Sequence, residues 1–293
     1  MLTRGVVVAL LACSASASAE EPRVAAPKAD RPDKPLVWDS RYGRFGPGQF
    51  VIMGTAVAVA AATNFAHPRE THWSAAPPFD ESVRDTFRLS SYGARSKARD
   101  ASDISVSLLA TFPFVVDSLM VAYWYRGSAD VALQMSLIDA EAISVALALQ
   151  GTVTWAAGRA RPYVRDCGTA ELPAQTTDCE SSGRFRSFFS GHSSLSFVSA
   201  SLVCSHHLKL DLFDSSADEL TCALALGAAG ATALLRVMGD MHYATDVLTG
   251  AAVGTLVGFG IPWIHHYRHA SAKGPVSVRV FPTVNGVAMV GGF

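Results

Sequence analysis

The chain has 293 residues, of which 49% are hydrophobic and 17% charged, with a formal net charge of −1. Roughly 25% charged residues is usual for soluble domains, so this composition, with a mean hydropathy of +0.24, indicates membrane segments. No run of lysine or arginine is long enough to follow a nucleic acid backbone, and we therefore expect no nucleic acid partner.

Residues 1–19 have the features of a signal peptide. Arg4 supplies the positive charge, residues 6–12 are apolar, and the small residues 17–19 form a cleavage site. Lipidation at Cys13 and retention as an anchor are the alternatives to cleavage. Residues 20–47 hold five prolines among charges, which predicts an extended linker.

Six apolar segments with helical character follow the linker. They cover residues 48–66, 102–124, 129–158, 190–208, 220–235 and 243–264. They predict an all-α fold, a bundle of about six apolar helices embedded in a membrane, over residues 48–270. In the last segment Gly250, Gly254 and Gly258 recur every four residues, a spacing that lets helices approach closely. A soluble bundle with small residues at its contacts is the alternative.

Between the first two segments, residues 78–100 form a short amphipathic stretch. Val83 and Phe87 are four residues apart, so they share one face of a predicted helix. Such a helix could cap the bundle, lie along a membrane or be a plain surface helix.

The tail, residues 271–293, alternates β-branched and polar residues and contains Asn285-Gly286, a strong turn signal. It predicts a short C-terminal β-hairpin.

The cysteines outside the leader fall into two groups. Cys167 and Cys179 bracket a polar loop, which suits a disulfide in an exported chain. Cys204 and Cys222 lie in apolar segments and are predicted to be buried thiols.

Three polar islands stand at the ends of apolar segments, at residues 158–162, 189–192 and 236–246. If the segments alternate in direction, all three islands meet at the same end of the bundle. They are therefore predicted to line one pocket.

The islands offer groups that bind a phosphate. Arg161 and Arg236 provide planar donors for a dianion. Ser190 and the Gly191 amide lie where a helix begins, and a helix N-terminus favours anions.

The same islands offer two imidazoles. His242 and Asp246 are four residues apart, so on a helix they share a face and the carboxylate could fix the imidazole tautomer. His192 arrives from another segment. Two histidines, one of them oriented by a carboxylate, can serve as nucleophile and general acid.

These motifs resemble the three signatures of the type 2 phosphatidic acid phosphatase superfamily, which includes bacterial acid phosphatases and vanadium haloperoxidases. Arg161-Pro162 matches the end of the first signature and Ser190-Gly191-His192 the second. Arg236, His242 and Asp246 match the third at every spacing. The likeness covers about residues 48–266.

The resemblance implies a role for each matched residue. His242 would attack phosphorus and form a phosphohistidine, Asp246 would orient it, and His192 would protonate the leaving oxygen. Arg161, Arg236, Ser190 and Gly191 would hold the phosphoryl oxygens. No cofactor or metal is implied, and the adjacent pairs His206-His207 and His265-His266 are interpreted as boundary residues whose side chains diverge.

One departure affects the pocket. The family has a lysine where this chain has Thr154, and Arg159 is the candidate to supplement the missing charge. We expect a phosphatase acting on phosphate monoesters or diphosphates of lipids. A soluble periplasmic acid phosphatase and an impaired phosphate-binding membrane protein are the alternatives.

The location is predicted as the bacterial cell envelope, with an integral inner-membrane domain, or alternatively a periplasmic or peripheral one. The predicted disulfide places the site outside the cytoplasm. A cleaved leader followed by six spans would place it inside. The conflict is resolved if the leader is misread, if one segment does not span, or if the whole domain is exported.

Overall fold

The computed structural model describes residues 36–68, 73 and 76–268, together with the backbone of residues 277–283 and 286–292. The predicted signal peptide and residues 20–35 of the predicted linker lie outside the described residues.

The described chain is mainly helical. Its α-helices are α1 (Pro47–Phe65), α2 (Pro78–Phe87), α3 (Tyr92–Phe112), α4 (Ala129–Ala157), α5 (Thr177–Glu180), α6 (Gly191–Leu210), α7 (Ala217–Met238) and α8 (Ala244–Pro262). Two of them continue as π-helices, α3 over Pro113–Tyr125 and α8 over Trp263–Tyr267. Short 3₁₀ turns cover Pro162–Asp166 and Ser182–Phe185. The helical bundle predicted from the sequence is thus confirmed.

Within the described residues, 5 helices are long and apolar enough to cross a membrane: α1, α4, α7, and α3 and α8 with their extensions. The sequence predicts about six apolar helices without fixing how many of them span, and α6 is not among these 5. That helix is rich in serine and contacts α3, α4, α7 and α8, so most of its side chains are buried. A helix enclosed by protein can carry hydroxyl groups that a lipid-facing helix would avoid.

The outer faces of the bundle are apolar. Of the residues of α1, Ala56 alone is buried. Large hydrophobic side chains are similarly exposed on other helices, such as Ile104 at 63%, Leu224 at 64% and Leu256 at 72%. A surface of this kind suits a hydrocarbon environment and supports a membrane protein.

The glycine stripe of α8 packs against α6. A Cβ atom on Gly254 would lie 2.3 Å from the carbonyl oxygen of Ser194, and one on Gly258 would lie 2.5 Å from that of Val198. The two backbones can approach this closely only because the side chains are missing. The close approach predicted from the four-residue spacing is confirmed.

The end of the predicted linker is part of the fold. Leu36 and Trp38 are buried, and the Trp38 ring lies 5.7 Å from that of Tyr267 at the end of α8. Apolar contacts thus hold the end of the predicted linker against the bundle.

The described chain contains two disulfide bridges. The predicted Cys167–Cys179 bridge is confirmed, with Cα atoms 5.8 Å apart. Cys204 and Cys222, predicted as thiols, also form a disulfide. The two positions face each other across the contact of α6 and α7, which their separate sequence segments do not reveal.

The amphipathic stretch caps the bundle, but not through the face that the sequence suggested. In α2, Asp80 is buried while Phe79 and Phe87 are 52% and 44% exposed. Ion pairs to the loop before α8 hold the helix instead, including Arg84 to Asp240 at 2.7 Å.

The tail contains two strands, β1 (Ser277–Thr283) and β2 (Gly286–Gly292), paired antiparallel. Their pairing joins them only to each other, and an isolated pair of strands is marginally stable in water. The structure therefore does not support the predicted β-hairpin as a part of the folded domain.

Candidate active site

A buried chain of charges lies under the end of the bundle where the three polar islands meet. Arg159 donates from Nη2 to Asp80 at 2.7 Å and from Nη1 to Asp246 at 2.6 Å. All three side chains are fully buried. The Arg159 guanidinium also lies over the Tyr243 ring, 4.3 Å from its centre. One cation is thus shared by two carboxylates away from water.

This arrangement corrects the expected role of Arg159. Its two terminal nitrogens are engaged with Asp80, Asp246 and the hydroxyl of Thr245, so they are not offered to a phosphate. Arg159 lies beneath the pocket and holds Asp246 in place, which means that it does not replace the missing lysine charge.

His242 is oriented by a backbone carbonyl. Its Nδ1 lies 2.8 Å from the carbonyl oxygen of Ser187, whereas the distance from Nδ1 to Asp246 Oδ2 is 3.8 Å. A carbonyl only accepts hydrogen bonds, so Nδ1 carries the proton and Nε2 keeps its lone pair. The direct hydrogen bond predicted between His242 and Asp246 is therefore not formed.

Asp246 acts on His242 through Ser187. Its Oδ2 accepts hydrogen bonds from the Ser187 hydroxyl at 2.6 Å and from the Tyr243 amide at 2.9 Å. The predicted shared helical face is also corrected, since His242 precedes α8 and Asp246 lies in the first turn of that helix.

Burial keeps His242 neutral. It lowers the pKa of the imidazole to about 3, with Arg161 and Arg236 adding to the effect and Asp246 opposing it. Since the pKa is depressed, Nε2 is unprotonated at neutral pH and can act as a nucleophile.

His192 is held by a carboxylate that sequence reasoning did not assign to the site. Asp103 Oδ1, on α3, lies 2.7 Å from His192 Nε2 and 3.1 Å from Arg236 Nη1. In the sequence Asp103 is one charge inside an apolar segment, and nothing in its spacing relates it to His192. Only the packing of α3 beside α6 and α7 brings the three groups together.

In the first turn of α6, burial lowers the pKa of His192 to about 4. Arg236 adds to this effect, whereas the hydrogen bond and charge of Asp103 raise the pKa. Arg161 also lowers the pKa of both His192 and His242. Both imidazoles therefore lie within the field of both guanidinium groups.

Arg161 and Arg236 each have a side-chain donor without a hydrogen-bond partner in the described structure. Arg161 Nε and Arg236 Nε are buried and have no hydrogen-bond partner in the described structure. Nη1 of Arg161 lies 3.7 Å from the sulfur of Met241. Unpaired buried donors of this kind favour an anion between them.

The second island closes one side of the site. Ser190 is the N-cap of α6, and its hydroxyl accepts from the Ser193 amide at 3.3 Å. A Cβ atom on Gly191 would meet Gln150 Nε2 at 3.2 Å. Gln150 Nε2 donates to the Thr154 hydroxyl at 2.8 Å, so the position of the family's lysine holds a neutral pair of a buried threonine and a half-buried glutamine.

The structure thus brings together His242, His192, Arg161 and Arg236, with Asp246 behind them. It adds Asp103 and Ser187, which the sequence did not predict. The charge pattern could have drawn attention to Asp103, because a carboxylate in an apolar helix needs a partner.

Comparisons with known proteins agree with the motifs. Residues 136–270 match the model of the PAP2 superfamily, and all three motifs lie in this range. Residues 136–270 are thus similar to the PAP2 superfamily, in agreement with the resemblance that the motifs indicated. No curated protein sequence matches the chain significantly.

A solved structure is also similar, described as that of the first transmembrane PAP2 type phosphatidylglycerolphosphate phosphatase from Bacillus subtilis. The similarity has a TM-score of 0.47 at 20% sequence identity, and it covers 73% of this chain and 93% of that chain.

The buried charge chain predicts a large difference between two neighbouring carboxylates of α2. Asp80→Asn replaces a buried charged acceptor of hydrogen bonds from Arg159 and Thr245, and should lower the free energy of unfolding by about 1.5–3 kcal/mol. Glu81→Gln removes an ion pair with Arg165 that is open to solvent and should cost less than about 1 kcal/mol. Unfolding of both variants in detergent, followed by circular dichroism, compares them. Equal losses would contradict a central role for the Asp80–Arg159 pair.

Proposed function

We propose that this protein is a phosphatase that hydrolyses phosphate monoesters or diphosphates of lipids through a phosphohistidine intermediate, outside the cytoplasm. One observation carries the proposal: Arg161 and Arg236 each have a buried, unpaired Nε donor, and both lie near a neutral His242 whose Nε2 lone pair is free. The match of residues 136–270 to the PAP2 superfamily supports a phosphoric ester hydrolase.

In the first step, Nε2 of His242 attacks phosphorus and the bond from phosphorus to the leaving oxygen breaks. Arg161 and Arg236 stabilise the charge on the non-bridging oxygens, together with the amide groups at the start of α6. His192 gives its proton to the leaving oxygen. In the second step, His192 takes a proton from water, which attacks phosphorus, and the bond from phosphorus to His242 breaks.

His192 needs help to carry that proton, because its pKa in the empty site is low. The carboxylate of Asp103 stabilises the charged imidazole, and a bound phosphate dianion adds to this effect. Asp103 is therefore a positioning residue that acts through His192. It also holds Arg236 beside the same imidazole.

Thr154 leaves the pocket with two cations in place of the three that the family pattern implies. Because Arg159 is committed to two carboxylates, the phosphate is held by Arg161, Arg236 and backbone amides. The histidine machinery does not depend on that lysine. A working enzyme with an altered phosphate pocket fits these contacts better than an inactive one.

A groove between α1 and α4 supports a lipid substrate. Its volume is about 420 Å³, within the usual range for ligand sites. Its walls include Val57, Ala60 and Leu147, and at one end it is lined by Gln150 and Arg186. Gln150 borders the start of α6 through its contact with Gly191. An apolar chain in the groove would thus have its polar end near the site.

The disulfide beside the site supports an extracytoplasmic location. The Cys167–Cys179 bridge closes a loop that follows the first island. Just after the bridge, the Arg184 side chain donates to the Cys179 carbonyl, and the Arg184 carbonyl accepts from the Arg161 amide. Disulfides persist in oxidising compartments and are rare in the cytosol.

Removing the nucleophile tests the enzyme proposal. His242→Ala should reduce kcat by roughly 10³-fold or more, as losses of catalytic nucleophiles do. Phosphate release is measured in detergent on a panel of lipid phosphates, with ³²P transfer to the protein as a second readout. The exposed His67 provides a matched control, since His67→Ala should retain full activity. Equal phosphate release by wild type and His242→Ala would refute the proposal.

The role of Asp103 predicts a change in pH dependence. Because Asp103 raises the pKa of His192, Asp103→Asn lowers that pKa and moves the alkaline limb of kcat to lower pH. At neutral pH, kcat for an alkyl phosphate should fall roughly tenfold, as expected for a lost charged hydrogen bond. The loss should be smaller for p-nitrophenyl phosphate, whose leaving group needs little protonation.

Asp100→Asn, an exposed position nearly one turn earlier on α3, is the control. An unchanged pH profile with a lower KM would mean that Asp103 only competes with phosphate for Arg236.

Filling the groove tests the lipid specificity. Ala61→Phe should raise KM for a long-chain lipid phosphate by about tenfold, a typical effect of overpacking, while leaving p-nitrophenyl phosphate hydrolysis unchanged. Ala62→Phe, on the same helix but outside the groove lining, is the control. If no variant discriminates the two substrates and the soluble ester is preferred, the acid phosphatase alternative is correct.

A further inference from the structure

A second group of ionisable side chains lies at the far end of α8. His265 and His266 belong to the π-helical extension of α8, and Glu141 lies inside α4. The 19 residues of α8 rise about 28 Å, so this group is roughly 30 Å from His242. It is therefore not part of the candidate active site.

The three side chains converge on one point. Glu141 Oε1 lies 2.9 Å from His265 Nδ1, and Glu141 Oε2 lies 3.5 Å from His266 Nε2. All their ligand atoms fall within 4.8 Å of one another. Glu141 is 0% exposed and His266 is 1% exposed, while the His265 side chain is 26% exposed to solvent.

The tautomer of His266 makes this arrangement unusual. Its Nδ1 lies 3.1 Å from the carbonyl oxygen of Gly43, which can only accept, so Nδ1 carries the proton and Nε2 presents a lone pair. That lone pair faces the lone pairs of Glu141 Oε2. Both atoms are buried, and within the described residues neither has a hydrogen-bond partner. Two buried acceptors facing each other are unfavourable unless a cation lies between them.

The other buried histidines of this end do not share the feature. His206 bonds Asp139 at 2.8 Å and the Tyr267 hydroxyl at 2.7 Å, and His207 bonds Asp218 at 2.6 Å and Asp117 at 3.2 Å. Both ring nitrogens of each are therefore satisfied. His206 and His207 thus diverge toward different partners, as predicted for residues at a segment end. In the described structure, the buried ring nitrogen without a hydrogen-bond partner in these two pairs is Nε2 of His266.

We propose that Glu141, His265 and His266 bind a divalent metal ion of the zinc class. Two imidazole nitrogens and one carboxylate suit Zn²⁺, whose bonds to such ligands are about 2.0–2.2 Å long. Tetrahedral ligands at those lengths lie roughly 3.4 Å apart, close to the 3.5 Å between Glu141 Oε2 and His266 Nε2. A water molecule completes the tetrahedron.

The surroundings match those of a metal ligand. A metal-binding histidine usually donates its other N–H to a backbone carbonyl, as His266 does to Gly43. The π-helix, with its i→i+5 hydrogen bonds, turns less per residue than an α-helix, so neighbouring side chains diverge less and both reach Glu141. When His265 binds through Nδ1, its proton moves to Nε2 through solvent.

Such an ion would connect three separate parts of the chain. Glu141 belongs to α4, the histidines to the end of α8, and Gly43 to the segment before α1. Both backbone polar groups of Gly43 bond to His266. The Gly43 carbonyl accepts from the His266 ring, and the Gly43 amide donates to the His266 carbonyl at 2.9 Å. The ion would thus staple residues 36–46 to the bundle.

Metal binding by the full-length protein in detergent tests the site. The protein is stripped with a chelator, and Zn²⁺ is titrated in competition with a chromophoric chelator; Co²⁺ serves as a spectroscopic probe of tetrahedral geometry. Wild type should bind one ion per chain, and Glu141→Gln and His265→Gln should each lose at least about tenfold in affinity. His67→Gln, which removes an exposed imidazole, should bind as wild type does.

His265 is partly exposed, so His265→Gln should still fold if Glu141→Gln does not. Absence of a bound ion in the wild type, or an affinity unchanged in both His265→Gln and Glu141→Gln, would overturn the proposal. In that case a second proton on His266 balances Glu141, and the ¹⁵N shifts of its ring would report an imidazolium.

Discussion

The buried ion pairs of Arg159 with Asp80 and Asp246 hold the candidate active site in its geometry. A guanidinium that is fully buried must have its charge compensated, and here one carboxylate comes from the cap α2 and the other from the first turn of α8. Asp246 in turn fixes the hydroxyl of Ser187, whose carbonyl sets the tautomer of His242. The orientation of His242 thus depends on Arg159, whose terminal nitrogens are engaged by the two carboxylates.

The sequence predicts much of this site because its motifs are local. Arg161, His192 and His242 fall at ends of apolar segments, and alternating helices bring such ends together without knowledge of their packing. The bundle, the Cys167–Cys179 bridge and the glycine stripe of α8 follow from equally local patterns. Their positions depend on helix period and spacing, which a single chain displays directly.

What the sequence does not predict depends on which helix faces meet. Asp103 belongs to the site only because α3 packs beside α6 and α7, and the Cys204–Cys222 bridge exists for the same reason. The orienting partner of His242 is a main-chain carbonyl, which no side-chain pattern encodes. The hydrophobic face of α2 was misleading, because ion pairs to Asp240 outweigh the modest apolar surface of Val83 and Phe87.

The contact of α6 with α8 relates the two ends of the bundle. Glycines on α8 fix the register of the two helices, since any shift along the axis would drive a carbonyl of α6 into the next side chain of α8. At one end this register lets the Ser190 amide donate to the Asp246 carbonyl at 3.0 Å, which joins the start of α6 to the first turn of α8. At the other end the extension of α8 brings His266 to Glu141. A rigid helix pair therefore makes the geometry at each end sensitive to packing along the whole of α8.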